Sequence, residues 1–235
     1  MKFKFNVPRP PEGDGRQVTS EEAERILLEQ LAAERDDPTQ AMWNLAQFYK
    51  RSGKLDRAVE ILRDLLDRTP DPEPKAQIAL TLGQAAEQAS DFELAVRFYR
   101  EALVMEPCEP MHWYLIHNNL GFSLNKLGQF AQGEAYCRRA IAINSKRPNA
   151  YKNLGLALCG QARHQEAAEA FVRATMADAA DDRALKHLEG LLSEHPELEA
   201  EFASPLRACR EAVRVAQEAA AKVWDEWRKG RKENK

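Results

Sequence analysis

The chain is poor in the residues that mark several protein classes. Its four cysteines, Cys108, Cys137, Cys159 and Cys209, stand far apart with no CxxC pair. That spacing suits reduced thiols and sets the expectation of a cytoplasmic protein. No segment approaches the ~20 apolar residues that a membrane helix needs. The opening residues, MKFKFNVPRPPEGDGR, hold no apolar stretch of signal-peptide kind, so no membrane association is expected. A net charge of −3 gives no electrostatic reason to expect a nucleic acid or an anionic surface as partner. Basic pairs such as Lys50-Arg51 and Arg138-Arg139 fall on different elements, without the aromatic interleaving that RNA binding asks for.

Chemistry-bearing motifs are also missing. There is no HExxH, Walker A, GxGxxG or GxSxG. Cys108, His112 and His117 are too few and too weakly placed for a four-ligand zinc site, with Cys108 and His112 read as lying in a linker. Glu166 and Glu169 near His164 read as chance neighbours on a surface. The expectation is a protein without catalytic residues, metal or cofactor.

Glycine is scarce too, at 11 of 235 residues, while Ala, Leu, Glu, Arg and Gln dominate. These are helix formers, and only KFKFNV at the start alternates as a strand would. The chain therefore reads as all-α. The few glycines then demand a reason, because each costs a helix roughly 1 kcal/mol against alanine.

A repeat supplies one. Leu45-Ala46, Leu82-Gly83, Leu120-Gly121 and Leu154-Gly155 recur at spacings of about 34 to 38 residues. Thirteen residues after each leucine stands a small residue: Ala58, Ala95, Gly133 or Ala167. Four further on stand Leu62, Tyr99, Cys137 and Phe171, and three beyond those Leu65, Ala102, Ala140 and Ala174. Turn-like stretches, RSGKL, QASDF, KLGQF and GQARH, divide each unit into helices A and B. The sequence predicts that the small residue beside each anchor leucine faces the small residue of the next helix. Gly121 against Gly133 would then be the tightest crossing, and Gly121→Leu would cost roughly 1–3 kcal/mol or more. DPEPK and CEPMHW read as linkers that lengthen two of the spacings.

This pattern resembles the tetratricopeptide repeat (TPR) family, through the motif L-G/A-x2-Y/L, A/G-x3-F/Y/L-x2-A/L and a frequent closing proline. NLAQFYKRSGKLDRAVEILRDLLDRTP carries nearly all of it. Departures are Trp43 one place after the usual tryptophan column, Ala86 in place of tyrosine, Ala162 in place of the turn glycine, and Ser145 and Ala179 in place of proline. The resemblance implies a right-handed α-solenoid of tandem helix–turn–helix repeats with N- and C-terminal capping helices. Expected divisions are an arm at 1–18, a capping helix at 19–36 and four repeats within 37–180, at about 39–72, 76–109, 114–147 and 148–181. A degenerate fifth repeat follows at 181–204, a capping helix at 205–230 and a basic tail at 231–235.

The resemblance also implies a concave groove lined by the A helices. Its expected contacts are Gln40, Trp43, Asn44, Gln47, Gln77, Thr81, Gln84, Asn118, Asn119, Phe122, Asn149, Lys152 and Asn153. Lys50, Glu87, Asn125 and Cys159 share one further column of the same face. The set is rich in amides, which both donate and accept, and so suits the backbone of a protein or peptide segment. The clamp that some relatives use for acidic heat-shock chaperone tails is not matched. Its places hold Leu80, Gln84, Asn119, Asn149 and Asn153, or one unit on, Asn118, Phe122, Asn153, Arg183 and His187. The leading reading is a non-catalytic adaptor or scaffold. An assembly- or secretion-type chaperone stands beside it. So does a scaffold that self-assembles, as a homodimer, through the Ala-rich final helix with Trp224 and Trp227.

Overall fold

A computed structural model describes residues 19–34 and 37–233, the last four by backbone alone. The strand-like start, the arm at 1–18 and the side chains of the basic tail lie outside the described residues. Every described element is helical, and the chain falls into two compact units that meet at Ser123 and Leu124.

The first unit opens with α1 (Ser20–Ala33). Thr19 caps it: its hydroxyl accepts from Glu22 N–H at 3.2 Å, and the Glu22 carboxylate accepts from Thr19 N–H at 3.0 Å. This reciprocal box satisfies two amides that the first helical turn cannot. Leu27 is buried, and Leu31 packs against the Leu45, Tyr49 and Ala58 cluster. Then follow α2 (Thr39–Arg51), α3 (Leu55–Arg68), α4 (Pro72–Gln88), α5 (Phe92–Val104) and α6 (Pro110–Lys126), which runs across the division between units. The second unit holds α7 (Phe130–Ile143), α8 (Pro148–Cys159), α9 (His164–Ala177), α10 (Arg183–Glu194), a 3-10 turn (Pro196–Leu198) and α11 (Glu199–Glu233).

Within each unit the repeat columns form the core. The anchors Leu45, Leu82, Leu120 and Leu154 are all buried, as is Leu188 on α10, 34 residues after Leu154. The B-helix columns Ala58, Leu62 and Leu65, Ala95, Tyr99 and Ala102, and Ala167, Phe171 and Ala174 are buried as well. Full burial of one such leucine or aromatic stabilises by about 1.5–3 kcal/mol.

Three expectations change. First, Gly83 and Gly155 lie against aromatic rings and not against the small residues of the B helix. A Cβ on Gly83 would lie 2.3 Å from the Tyr99 ring, and one on Gly155 would lie 2.5 Å from the Phe171 ring. Each glycine admits an aromatic ring from the B helix. The first repeat holds Ala46 and Leu62 in the same two columns, both fully buried. Second, most of DPEPK and of CEPMHW is helix. Prolines 72 and 110 start α4 and α6, each 17 residues long against 13 for α2 and 12 for α8. A proline in the first turn loses no hydrogen bond. Third, α11 begins at Glu199, six residues before the expected start at 205, and so contains Pro205.

The A–B turns share one backbone device. Gly53, Ser90, Gly128 and Ala162 sit eight residues after their anchors, and all have φ between 57° and 73°. The following amide reaches back over the turn in each case: Lys54 N to Tyr49 O, Asp91 N to Ala86 O, Gln129 N to Leu124 O and Arg163 N to Leu158 O, all at 2.9 Å. This is a Schellman closure, for which glycine is the unstrained residue.

Candidate functional site

The A-helix face of the first unit is built by α2, α4 and the first part of α6. On α2, Gln40 Nε2 donates to Asn44 Oδ1 at 3.0 Å, and Trp43, Asn44 and Gln47 are buried. On α4, the Thr81 hydroxyl donates to the Gln77 carbonyl at 2.9 Å and is buried, while Gln77 and Gln84 remain part-exposed. On α6, buried Asn118 donates to Asn119 Oδ1 at 2.9 Å. Asn119 and Phe122 are part-exposed, and Phe122 meets the Phe92 ring edge-on with centroids 6.1 Å apart.

Two side chains of the further column tie these helices together. Lys50 Nζ donates to Gln84 Oε1 at 2.7 Å, bridging α2 to α4. Ser123 Oγ donates to Glu87 Oε1 at 2.7 Å, bridging α6 to α4. Both ionisable groups are disfavoured in their charged forms. Burial pushes Glu87 up to about 7 from its ordinary 4.5, against the opposing pull of the Ser123 hydroxyl. Burial, with a smaller contribution from Arg51, pushes Lys50 down to about 8. The face is therefore mostly amide, hydroxyl and weakened charge.

In the second unit, α8 carries Asn149, Lys152 and Asn153. Lys152 Nζ donates to Asn149 Oδ1 at 3.4 Å, and both are part-exposed. Asn153 is buried, and its carbonyl accepts from Asn125 Nδ2 at 2.8 Å. Burial, then Arg183, lowers the Lys152 pKa. Of the thirteen expected contacts, Gln40, Gln77, Gln84, Asn119, Phe122, Asn149 and Lys152 thus keep part of their surface. Trp43, Asn44, Gln47, Thr81, Asn118 and Asn153 lie beneath.

His112 is not in a linker but in the first turn of α6. Its Nδ1 lies 2.6 Å from Glu73 Oε1 at the start of α4, and the same carboxylate accepts from the Cys108 amide. These contacts brace two helix starts. Among the described residues no group of three or more His, Cys, Asp or Glu side chains is disposed to hold a metal ion. The buried Cys137 thiol is pushed up to about 12 and that of Cys159 to about 11, chiefly by desolvation, which keeps both poor nucleophiles. No described helix is long and apolar enough to cross a membrane.

Sequence reasoning missed Glu24. Its carboxylate accepts from Tyr49 Oη at 2.9 Å and Arg57 Nη1 at 2.9 Å, and also pairs with Lys54. Hydrogen bonding from Lys54 is the largest cause of its lowered pKa. Beside it lies a cleft of about 640 Å³ floored by Leu28, Leu31, Met42, Leu45 and Ile61.

Residues 21–105 match a family model described as tetratricopeptide repeat, and residues 118–146 match a second model of that description. The small glutamine-rich tetratricopeptide repeat-containing protein 2 of Mycosarcoma maydis is 28% identical over 108 residues, which cover 46% of this chain and 30% of that protein. The chain therefore spans under a third of that relative's length. Among solved structures, BtubC from P. vanneervenii superposes with a TM-score of 0.65 at 19% identity, covering 86% of this chain and 91% of that one. MamA from Desulfovibrio magneticus RS-1 superposes at 0.58 and 20% identity, covering 78% and 96%. At such identities the likeness shows the fold, an α-solenoid of helical repeats, and nothing finer.

Proposed function

We propose that this chain, a member of the tetratricopeptide-repeat family, is a non-catalytic adaptor that holds a segment of a partner protein against its A helices. Repeats of this family generally mediate protein–protein interaction. The observation that carries the reading for this chain is the exposed edge of the first-unit face. Gln40 and Gln77, Gln84, and Asn119 come from three successive A helices, and Phe122 adds an apolar anchor. Asn44, Thr81 and Asn118 lie beneath and fix the polar network that supports them.

The chemistry of the face selects the kind of segment. Amides can bracket the peptide groups of any extended backbone. Lys50 is engaged by Gln84 and held part-buried, so the face offers no strong cation to an acidic tail. The expected ligand is polar or apolar with little net charge. Asn149 and Lys152 on α8 offer a separate, smaller polar patch of the same type.

The test is capture of partners by the native chain and by a Gln84→Ala/Asn119→Ala variant, matched for helicity and melting temperature. A partner held by the native chain and lost by the variant supports the reading. A partner retained equally by both contradicts it and moves the site off this face.

A further inference from the structure

The first and second halves of α11 differ sharply in their surroundings. Phe202, Cys209 and Val213 are buried in the second unit's core, with Leu206 packed against it. From Gln217 to Lys229 every residue is exposed. At 1.5 Å per residue, these 13 residues form an exposed helical rod about 20 Å long. The apolar seam does not stop where the core stops. Leu206, Cys209, Val213, Ala216, Ala220, Val223 and Trp227 keep alternating steps of three and four, the spacing by which helices pair through a continuous seam. Val223, Trp224 and Trp227 are 65%, 58% and 49% exposed, and the two indoles meet edge-on at 5.4 Å.

We infer that the outer half of α11 pairs with the same segment of a second copy of this chain, antiparallel and across a two-fold axis near Val223. Three observations commit the face to that occupant. The first is size. The seam is small at its inner end, with Ala216, Ala219 and Ala220, and large at its outer end, with Trp224 and Trp227. With the axis near Val223, an antiparallel copy sets Trp227 against the other copy's Ala219 and Ala220 and brings the two Trp224 indoles together beside the axis, so one surface complements itself as a two-fold interface requires.

The second is direction. The inner half of the same seam is already filled by the chain's own α9 and α10. A parallel partner, seam to seam, would bring its own α9 and α10 into the volume held by the first copy's α11. An antiparallel partner centred on Val223 sets residues 217–229 against the same exposed stretch of the other copy.

The third is charge and area. Glu218, Lys222, Asp225 and Lys229 lie on the side of the helix opposite the seam, so pairing leaves them in water. Four half-exposed indoles, with the valines and alanines beside them, remove about 1,000 Å² from solvent in total. That is near the lower bound for a specific interface, as suits a dimer whose population depends on concentration.

Analytical ultracentrifugation of the full chain from about 1 to 300 μM tests this, beside Trp224→Ala/Trp227→Ala and Ala220→Glu variants. Both variants change residues exposed in the monomer, and their melting temperatures at low concentration show whether the fold is kept. The expected result is a monomer–dimer equilibrium for the native chain, shifted at least tenfold toward monomer in both variants. A native chain that stays monomeric throughout overturns the proposal, as does a dimer of undiminished strength in the variants. A Val223→Cys variant in a Cys108→Ser background reports the direction. Oxidation should link it to itself, as residues facing each other near a two-fold axis do. Failure to link while the dimer persists overturns the antiparallel register.

Discussion

The repeat hairpins and the outer half of α11 are both helical, for different reasons. The hairpins are held by columns of buried side chains that recur from repeat to repeat, and by turns closed through the same backbone hydrogen bond. The outer half of α11 has no buried residue. It is carried by alanine and other strong helix formers, by the turns already packed below it, and by an ion pair that ties Glu218 to Arg214. Such exposed pairs are each worth only a few tenths of a kcal/mol. The comparison separates positions where a substitution is felt by the fold from positions where it is felt only by a partner.

The largest expected effect is at the glycine–aromatic crossings. Gly83→Leu or Gly155→Leu drives a side chain into a ring that is itself fully packed. We expect a loss at or beyond the upper end of about 1–3 kcal/mol, read from denaturant melts. Gly83→Ala combined with Tyr99→Leu reproduces the Ala46 and Leu62 solution of the first repeat, and should recover part of the loss of Gly83→Ala alone. No recovery would mean that the ring is not what the glycine serves.

Next is Glu87. Its carboxyl titrates near 4.5 when unfolded and near 7 in the fold. The stability it contributes is present below about pH 4.5 and is lost as pH rises through 7. The difference approaches about 3 kcal/mol at full burial, and about 2 kcal/mol is the reasonable expectation for a part-exposed group. Glu87→Gln keeps an acceptor for Ser123 and cannot ionise. It should melt higher than the native chain at pH 8 and no higher at pH 4. Equal pH profiles for the two proteins would contradict the buried setting.

The turns come third. Ala162 holds φ at 57° and Gly53 at 73°, with nothing within 4 Å of the place where a Cβ would stand on Gly53. The effect of exchange there is backbone strain alone. Gly53→Ala should cost about 1 kcal/mol, and Ala162→Gly should gain up to that amount. Smallest of all is the rod. Trp224→Ala/Trp227→Ala should change the stability of the dilute monomer by less than about 0.5 kcal/mol.

The fold was legible where packing imposes a column. Anchor leucines, small B-helix residues and the turn positions recur because each repeat must bury the same stripe. What the glycines face was not legible, because spacing gives which residues share an interface and not which pair touches most closely. The prolines misled. Those at positions 72 and 110 read as linker but start helices, where a missing N–H costs nothing, and Pro205 read as a helix start but lies inside α11. For the candidate site, the face was legible and the depth was not. Asn44, Asn119 and Asn153 occupy one column, yet only Asn119 keeps part of its surface, because neighbouring helices cover the other two. The bridges from Lys50 to Gln84 and from Ser123 to Glu87 depend on how repeats stack, which single-repeat periodicity does not contain.

The most direct test of the contrast between packed hairpins and exposed rod is hydrogen–deuterium exchange of the full chain at about 1 and 200 μM. Amides of α2, α4, α8 and α9 should be protected equally at both concentrations. Those of Gln217–Lys229 should exchange fast at the lower concentration and slow at the higher one. Protection of that segment already at 1 μM, or no slowing at 200 μM, would contradict the account.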